Sequence, residues 1–218
     1  MKLFSFILFV LLIINSNLFG VESKPDWSIV IYAAIDEEDL DHHAGDIMRN
    51  IENLPLPQNV ELFFQSDDIT SKSVTRYIKR GDKFLEKKKL SEHNSASTRS
   101  LRNFMNWVKE NATGANLLLN VATHSWGWKG IIQDYTIPGK IGQDAMMRLN
   151  KFAKVVQESR LKIDILMLDC CVLGNAEPIE EFKSLAPYLF VSERETPYGG
   201  FPIHTLFNSL KIKNLEKE

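Results

Sequence analysis

Two residues of this 218-residue chain have the types and placement to do chemistry together, Cys171 and His124. Cys171 ends the run Ile163-Asp164-Ile165-Leu166-Met167-Leu168-Asp169-Cys170-Cys171, an apolar segment cut off by an acid and followed by the chain's only two cysteines. His124 ends Asn116-Leu117-Leu118-Leu119-Asn120-Val121-Ala122-Thr123-His124. Both runs have the length and composition of strands, and the first is expected to be buried on both faces, as in a parallel sheet. Open α/β sheets gather their functional groups at the carboxyl ends of such strands. A thiol and an imidazole meeting there can act as nucleophile and general acid–base. Taken singly, a strand-end cysteine suits the core equally well, and a lone histidine suits a loop hydrogen bond. Their pairing across 47 positions, from 124 to 171, is what singles them out. Structural zinc is disfavoured, because two adjacent cysteines and one distant histidine lack the spaced ligand pairs of a tetrahedral site.

Something must hold these two strand ends side by side. The chain reads as strand Ser28–Ala34, a helix over Leu40–Asn53 stopped by Pro55-Leu56-Pro57, and a strand around Val60–Phe64. Residues 69–96 are less regular: Thr75–Ile78 can be a short strand, and the basic stretch Lys79–Lys89 suits a hairpin or a solvated helix or loop face. Ser97 or Thr98 can cap a helix running to Asn111. After the His124 strand come a loop over Lys129–Gly142 and a helix over Asp144–Ser159. The Cys171 strand precedes a helix over Ala176–Leu185, a strand over Tyr188–Ser192, a Gly- and Pro-rich loop and a short amphipathic helix. This alternation predicts an α/β domain with a mostly parallel sheet covered on both faces.

The first 23 residues stand apart. Lys2, the apolar run Leu3–Ile14 and a polar stretch ending in small residues form the three parts of a secretory signal peptide. The apolar run is shorter than the roughly 20 residues of a membrane span, so no stable span is expected after cleavage between Gly20 and Lys24. An uncleaved anchor is the alternative. The expected mature chain, 24–218, is then one secreted or periplasmic domain. Export favours disulfides, but the only available pair is vicinal and needs a strained ring, so both thiols are expected to be free. A formal net charge of −2 gives no electrostatic case for a nucleic-acid partner.

With these elements in order, the sequence resembles the clostripain family of cysteine peptidases, in the wider group that includes caspases, gingipains and legumains. Trp27-Ser28-Ile29-Val30-Ile31-Tyr32-Ala33-Ala34-Ile35-Asp36 is similar to the family's opening strand. His124-Ser125-Trp126-Gly127-Trp128 resembles its His-Gly-Ser-Gly-Trp, and Asp169-Cys170-Cys171-Val172-Leu173-Gly174 resembles its Asp-Ala-Cys-Leu-Met-Gly. Ser192-Glu193-Arg194-Glu195-Thr196-Pro197 is a weaker echo of its Ser-Glu-Glu-Thr. The resemblance implies a caspase-like three-layer α/β/α sandwich and a secreted endopeptidase acting on protein or peptide substrates. It implies a His124–Cys171 dyad, with Cys171 as nucleophile and Cys170 in the place of the family's alanine. The oxyanion would be held by the backbone N–H groups of Ser125 and Cys171, and Asp169 would tie the strand end to neighbouring N–H groups. No cofactor is implied, beyond a calcium ion for which no ligands can be assigned.

Three departures from the family pattern bear on activity. Ser125 replaces a glycine, a problem if that position needs a positive φ or close substrate approach. Gly199 stands about where the family carries an acid that reads a basic P1 side chain; Asp134, Glu193 or Glu195 could substitute. The chain also stops earlier than family members do. These features support a second reading, a catalytically inactive secreted binding protein. The loop 135–142, with Lys140 beside a turn, is an expected site of maturation cleavage.

Overall fold

The computed structural model describes residues 24–35, 50–68, 73–135, 145–197 and 200–212. The helix expected over Leu40–Asn53 falls mostly outside them, and only its end, residues 50–53, is seen as helical. Residues 1–23, Lys140 and Gly199 also lie outside the described residues.

The core of the fold is a mostly parallel sheet. The apolar, β-branched run β1 (Trp27–Ala34) lies between β2 (Val60–Asp68) and β5 (Asn116–Thr123), parallel to both. β8 (Ile165–Asp169) pairs in parallel with β5, and β9 (Tyr188–Phe190) with β8. Beyond β2 the chain turns back through the antiparallel strands β3 (Ser73–Arg80) and β4 (Lys83–Ser91), giving seven strands in the order β4-β3-β2-β1-β5-β8-β9. The sheet carries helices on both faces. Along β1, Val30, Tyr32 and Ala34 face a core with α1 (Thr98–Asn111), α2 (Leu149–Ser159) and α3 (Ala176–Phe182). Ile29, Ile31 and Ala33 face Ile51, Leu56 and α4 (Ile203–Ile212), which contributes Ile203 and Phe207.

Several elements differ from the sequence reading. For the basic stretch Lys79–Lys89 the hairpin alternative holds, not the helix or loop: it ends β3, turns at residues 81–82 and forms most of β4, which is largely exposed at the sheet edge. Lysines along an open edge oppose its pairing with another chain. The helix expected from Asp144 begins at Leu149, because Met146–Met147 form β7, which pairs with β6 (Ile131–Gln133) inside the expected loop. β2 runs on through Ser66, Asp67 and Asp68, since β3 supplies ladder partners there. β8 is not buried on both faces. Leu166 and Leu168 are buried on the helix α2 side, whereas Ile165 and Met167 are half-buried against the Ile203 and Phe207 side of the core, and half-buried Asp169 lines a cavity.

Two buried polar anchors tie the sheet to neighbouring segments. Lys79, buried, donates to the carbonyls of Glu52 (2.7 Å) and Leu54 (2.8 Å), fixing the segment over the cavity's far wall. On the next rung of the β2–β3 ladder, Glu61 accepts from Ser28 Oγ, Arg80 Nη2 and the Thr113 and Gly114 N–H groups, tying β1, β2, β3 and the turn before β5 together.

Candidate active site

His124 and Cys171 both leave the sheet at its carboxyl edge. In the β5–β8 ladder Ala122 pairs with Asp169, and each of the two candidates lies two residues beyond that pair. Both line one cavity of about 1360 Å³, together with Ser125, Trp126, Asp169, Thr196 and Phe201. Cys171 is half-buried and both thiols are free.

Strand alternation separates the two cysteines. Asp169 points to the cavity face, so Cys170 points the other way and joins the core under the helices, with 1% of its surface exposed. Burial pushes the Cys170 thiol far above its ordinary range, which leaves it without a nucleophilic thiolate. Beyond Asp169 the chain bends away, and Cys171 turns its sulfur toward the loop after β9. There Thr196 sets its N–H 3.4 Å and its Oγ1 3.5 Å from Cys171 Sγ. The turn continues through Val172, whose φ of 49° is unusual for a β-branched residue and whose N–H donates to the Arg194 carbonyl at 3.0 Å.

The histidine loop is built by a small hairpin. Ser125 bridges Ile131, flanked by hydrogen bonds from the Ile132 N–H to the His124 carbonyl (3.1 Å) and from the Trp126 N–H to the Gly130 carbonyl (3.1 Å). This is the pattern of a non-hydrogen-bonded antiparallel pair, so the Ser125 N–H points away from β6. The Tyr135 ring meets the His124 ring edge-on at 6.3 Å. Just before it, fully buried Asp134 accepts the Ser95 N–H at 2.6 Å, and Ser95 in turn binds Asp67 and the Tyr32 hydroxyl. Asp134 therefore anchors the segment behind the histidine and is not among the acids lining the cavity, contrary to one expectation for it.

Ser125, which the sequence marked as a possible obstruction, is accommodated. Among the described residues, the non-glycine positions with positive φ are Ile132, Arg160 and Val172, so Ser125 occupies ordinary backbone space. Its side chain donates to the Cys171 carbonyl, joining the two candidate loops directly. Gly127 then abuts the Val172 carbonyl, where a Cβ would approach to 3.3 Å.

The acids lining the cavity, among the described residues, are Asp169 and Glu195; Glu193 packs instead against Gly174. Asp169 accepts the Phe201 N–H with both oxygens, at 2.9 and 2.8 Å, as the strand-end role required. Burial raises its carboxyl above the usual range, and the Phe201 N–H pulls the other way. That Thr196 reaches the sulfur is not legible in the chain: it sits in an irregular loop, within only a weak echo of the family's Ser-Glu-Glu-Thr, with no periodicity to locate it. Among the described residues no three His, Cys, Asp or Glu side chains gather as a metal site, so no calcium ligands can be named there.

The clostripain family model matches residues 31–217. A comparison with curated proteins gave no match. Among solved structures, the fold resembles a secreted C11 cysteine protease from Bacteroides thetaiotaomicron bound to an irreversible peptide inhibitor, at 18% identity and a TM-score of 0.67, over 85% of this chain and 54% of that one. It also resembles iotapain, a secreted C11 cysteine protease from the same bacterium (14% identity, TM-score 0.69, 86% of this chain and 58% of that one). A third is an inactive zymogen C11 protease from Parabacteroides distasonis (21% identity, TM-score 0.62, 85% of this chain and 53% of that one). The chain thus spans little more than half the length of these proteins. Matched along nearly its whole length by the family's own pattern, the chain belongs to the clostripain family of cysteine peptidases.

Proposed function

We propose that this protein is a secreted cysteine endopeptidase in which Cys171 attacks the scissile carbonyl and His124 moves the proton. The observation that carries this reading is the common position of the two residues, each two beyond a registered pair and both lining one cavity. Sγ forms a bond to the carbonyl carbon while His124 takes the thiol proton, and the oxygen becomes an oxyanion facing the N–H groups of Ser125 and Cys171. The C–N bond then breaks as His124 gives its proton to the leaving amine. Water, activated by His124, hydrolyses the thioester and regenerates the thiol. Protein or peptide substrates follow from the family. Cleavage after a basic residue is supported by the two carboxylates that line the cavity, Asp169 and Glu195. Secretion is supported by the N-terminal apolar run and by relatives described as secreted. No described helix is long and apolar enough to cross a membrane.

The test is covalent labelling with a peptidyl acyloxymethyl ketone, read by intact mass, alongside hydrolysis of a fluorogenic peptide library. Wild type should gain one adduct and Cys171→Ala none. A folded wild type that neither labels nor cleaves would move the assignment to a peptide-binding protein without turnover.

A further inference from the structure

Two exposed tryptophans sit in the loop after His124, but only one faces the cavity. Trp128 is 66% exposed and lies outside the cavity lining, with Lys129 Nζ over its ring. Trp126 is 48% exposed and lines the cavity beside His124 and Cys171. Its position is fixed from both sides. The preceding residue, Ser125, is bonded to the Cys171 carbonyl, and the following one, Gly127, abuts the Val172 carbonyl. The loop closes on itself through the Trp126 N–H to the Gly130 carbonyl and the Lys129 N–H to the Trp126 carbonyl. The indole N–H donates at 3.3 Å to Oε1 of Gln133, which is buried. The polar edge of the ring is therefore satisfied inward.

A half-exposed, orientated indole has little rotamer freedom left to lose, so apolar surface laid on it is buried at small entropic cost. Around it the cavity lining is mainly apolar, with Ala122, Val172, Pro197 and Phe201 near the candidate dyad. In the family motif quoted above, this position carries serine, so the indole is not part of that motif.

We propose that Trp126 is a specificity-determining residue, the wall of a subsite that takes an apolar side chain, aromatic or large aliphatic, flanking the substrate's P1 residue. The inference rests on the reading that peptides occupy this cavity. The experiment measures binding by fluorescence polarisation of uncleaved labelled peptides to Cys171→Ala, with Phe, Leu, Ser or Gly at the positions flanking P1. Peptides with Phe or Leu should bind more tightly than those with Gly or Ser at one of these positions. Trp126→Ala, added to Cys171→Ala, should weaken the Phe and Leu peptides by roughly ten- to a hundredfold and leave the Gly peptide nearly unchanged. Trp126→Phe should keep most of the preference. Equal weakening of every peptide, or no weakening, overturns the proposal; circular dichroism of each variant excludes a folding defect. Hydrolysis by wild type separates the two readings. Turnover without Trp126-dependent selectivity removes the subsite alone, whereas selective binding without turnover removes the peptidase reading and leaves the subsite.

Discussion

Ser125 donates a hydrogen bond from its hydroxyl to the backbone carbonyl of Cys171, so the loop carrying His124 and the loop carrying the free thiol are joined directly. Parallel pairing brings the two strand ends together, because Ala122 and Asp169 share a rung of the β5–β8 ladder. Beyond that rung the strands diverge into turns, and the ladder no longer fixes their separation. The serine hydroxyl, with the close approach of Gly127 to the Val172 carbonyl, takes over that task.

Replacing Ser125 by Ala leaves the Cys171 carbonyl one partner short and should cost about 1 kcal/mol of stability. If the contact also orients the Cys171 peptide, kcat falls by roughly tenfold with little change in KM. Ser125→Gly, which restores the family residue, should behave like Ser125→Ala, since it too lacks the hydroxyl. Steady-state kinetics and thermal melts of both variants provide the check. A Ser125→Gly enzyme as active as wild type, or more so, would show that the serine is merely tolerated.

The two cysteines should respond oppositely to substitution. Cys171→Ala removes the proposed nucleophile and should abolish labelling and turnover. Cys170→Ala deletes a buried sulfur and should lower stability by about 1 kcal/mol while leaving most of the turnover. Peptide mapping after alkylation distinguishes them, and modification of Cys170 in the folded protein would contradict its burial.

Much of this arrangement could be read from the chain because the runs around β1, β5 and β8 are apolar and end abruptly. Such runs form strands at almost any place in a sheet, and the polar residues after them mark its edge. The less legible parts depend on partners distant in sequence. β4 carries Lys83, Lys87, Lys88 and Lys89 and shows no buried face, so only its pairing with β3 defines it as a strand. β6 and β7 are too short for periodicity to register, and they shift the start of α2 to Leu149. Asp134 looked like a candidate for a specificity pocket until Ser95, 39 residues earlier, was seen to occupy it.

Glu61 gives the fold a specific acid sensitivity. Burial opposes its ionisation, but donors from Ser28, Arg80, Thr113 and Gly114 outweigh that, and its carboxyl titrates below the usual range. A carboxylate with a lowered folded value contributes stability above the ordinary carboxylate range, and that contribution is lost as pH falls through its own lower value. Glu61→Gln should therefore destabilise the protein by about 2 kcal/mol at neutral pH, with the deficit shrinking toward zero on acidification. Urea titrations of both proteins across the acid range measure it. A deficit that is constant with pH would mean that the charge is not the source.

Gly200 meets the site from the other side. Its φ is +65°, and a Cβ built there would lie 2.5 Å from Asp169 Oδ2. An L side chain in that left-handed conformation costs about 1–2 kcal/mol before any collision is counted. Gly200→Ala must also push Asp169 or residues 200–201 aside, and the Phe201 N–H bonds to Asp169 are the contacts most exposed to that movement. Because Asp169 and Phe201 both line the cavity, peptide hydrolysis should suffer more than the loss of stability explains. Asp169→Asn separates the causes: it keeps the side chain's size and an oxygen that can accept the Phe201 N–H, but removes the charge. If Gly200→Ala acts by displacing the Asp169 region, it should lower kcat/KM for basic and neutral P1 substrates alike, while Asp169→Asn selectively lowers cleavage after Arg or Lys. A Gly200→Ala protein with unchanged melting temperature and unchanged kcat/KM would show that the backbone at residues 200–201 yields freely and does not hold Asp169 in place.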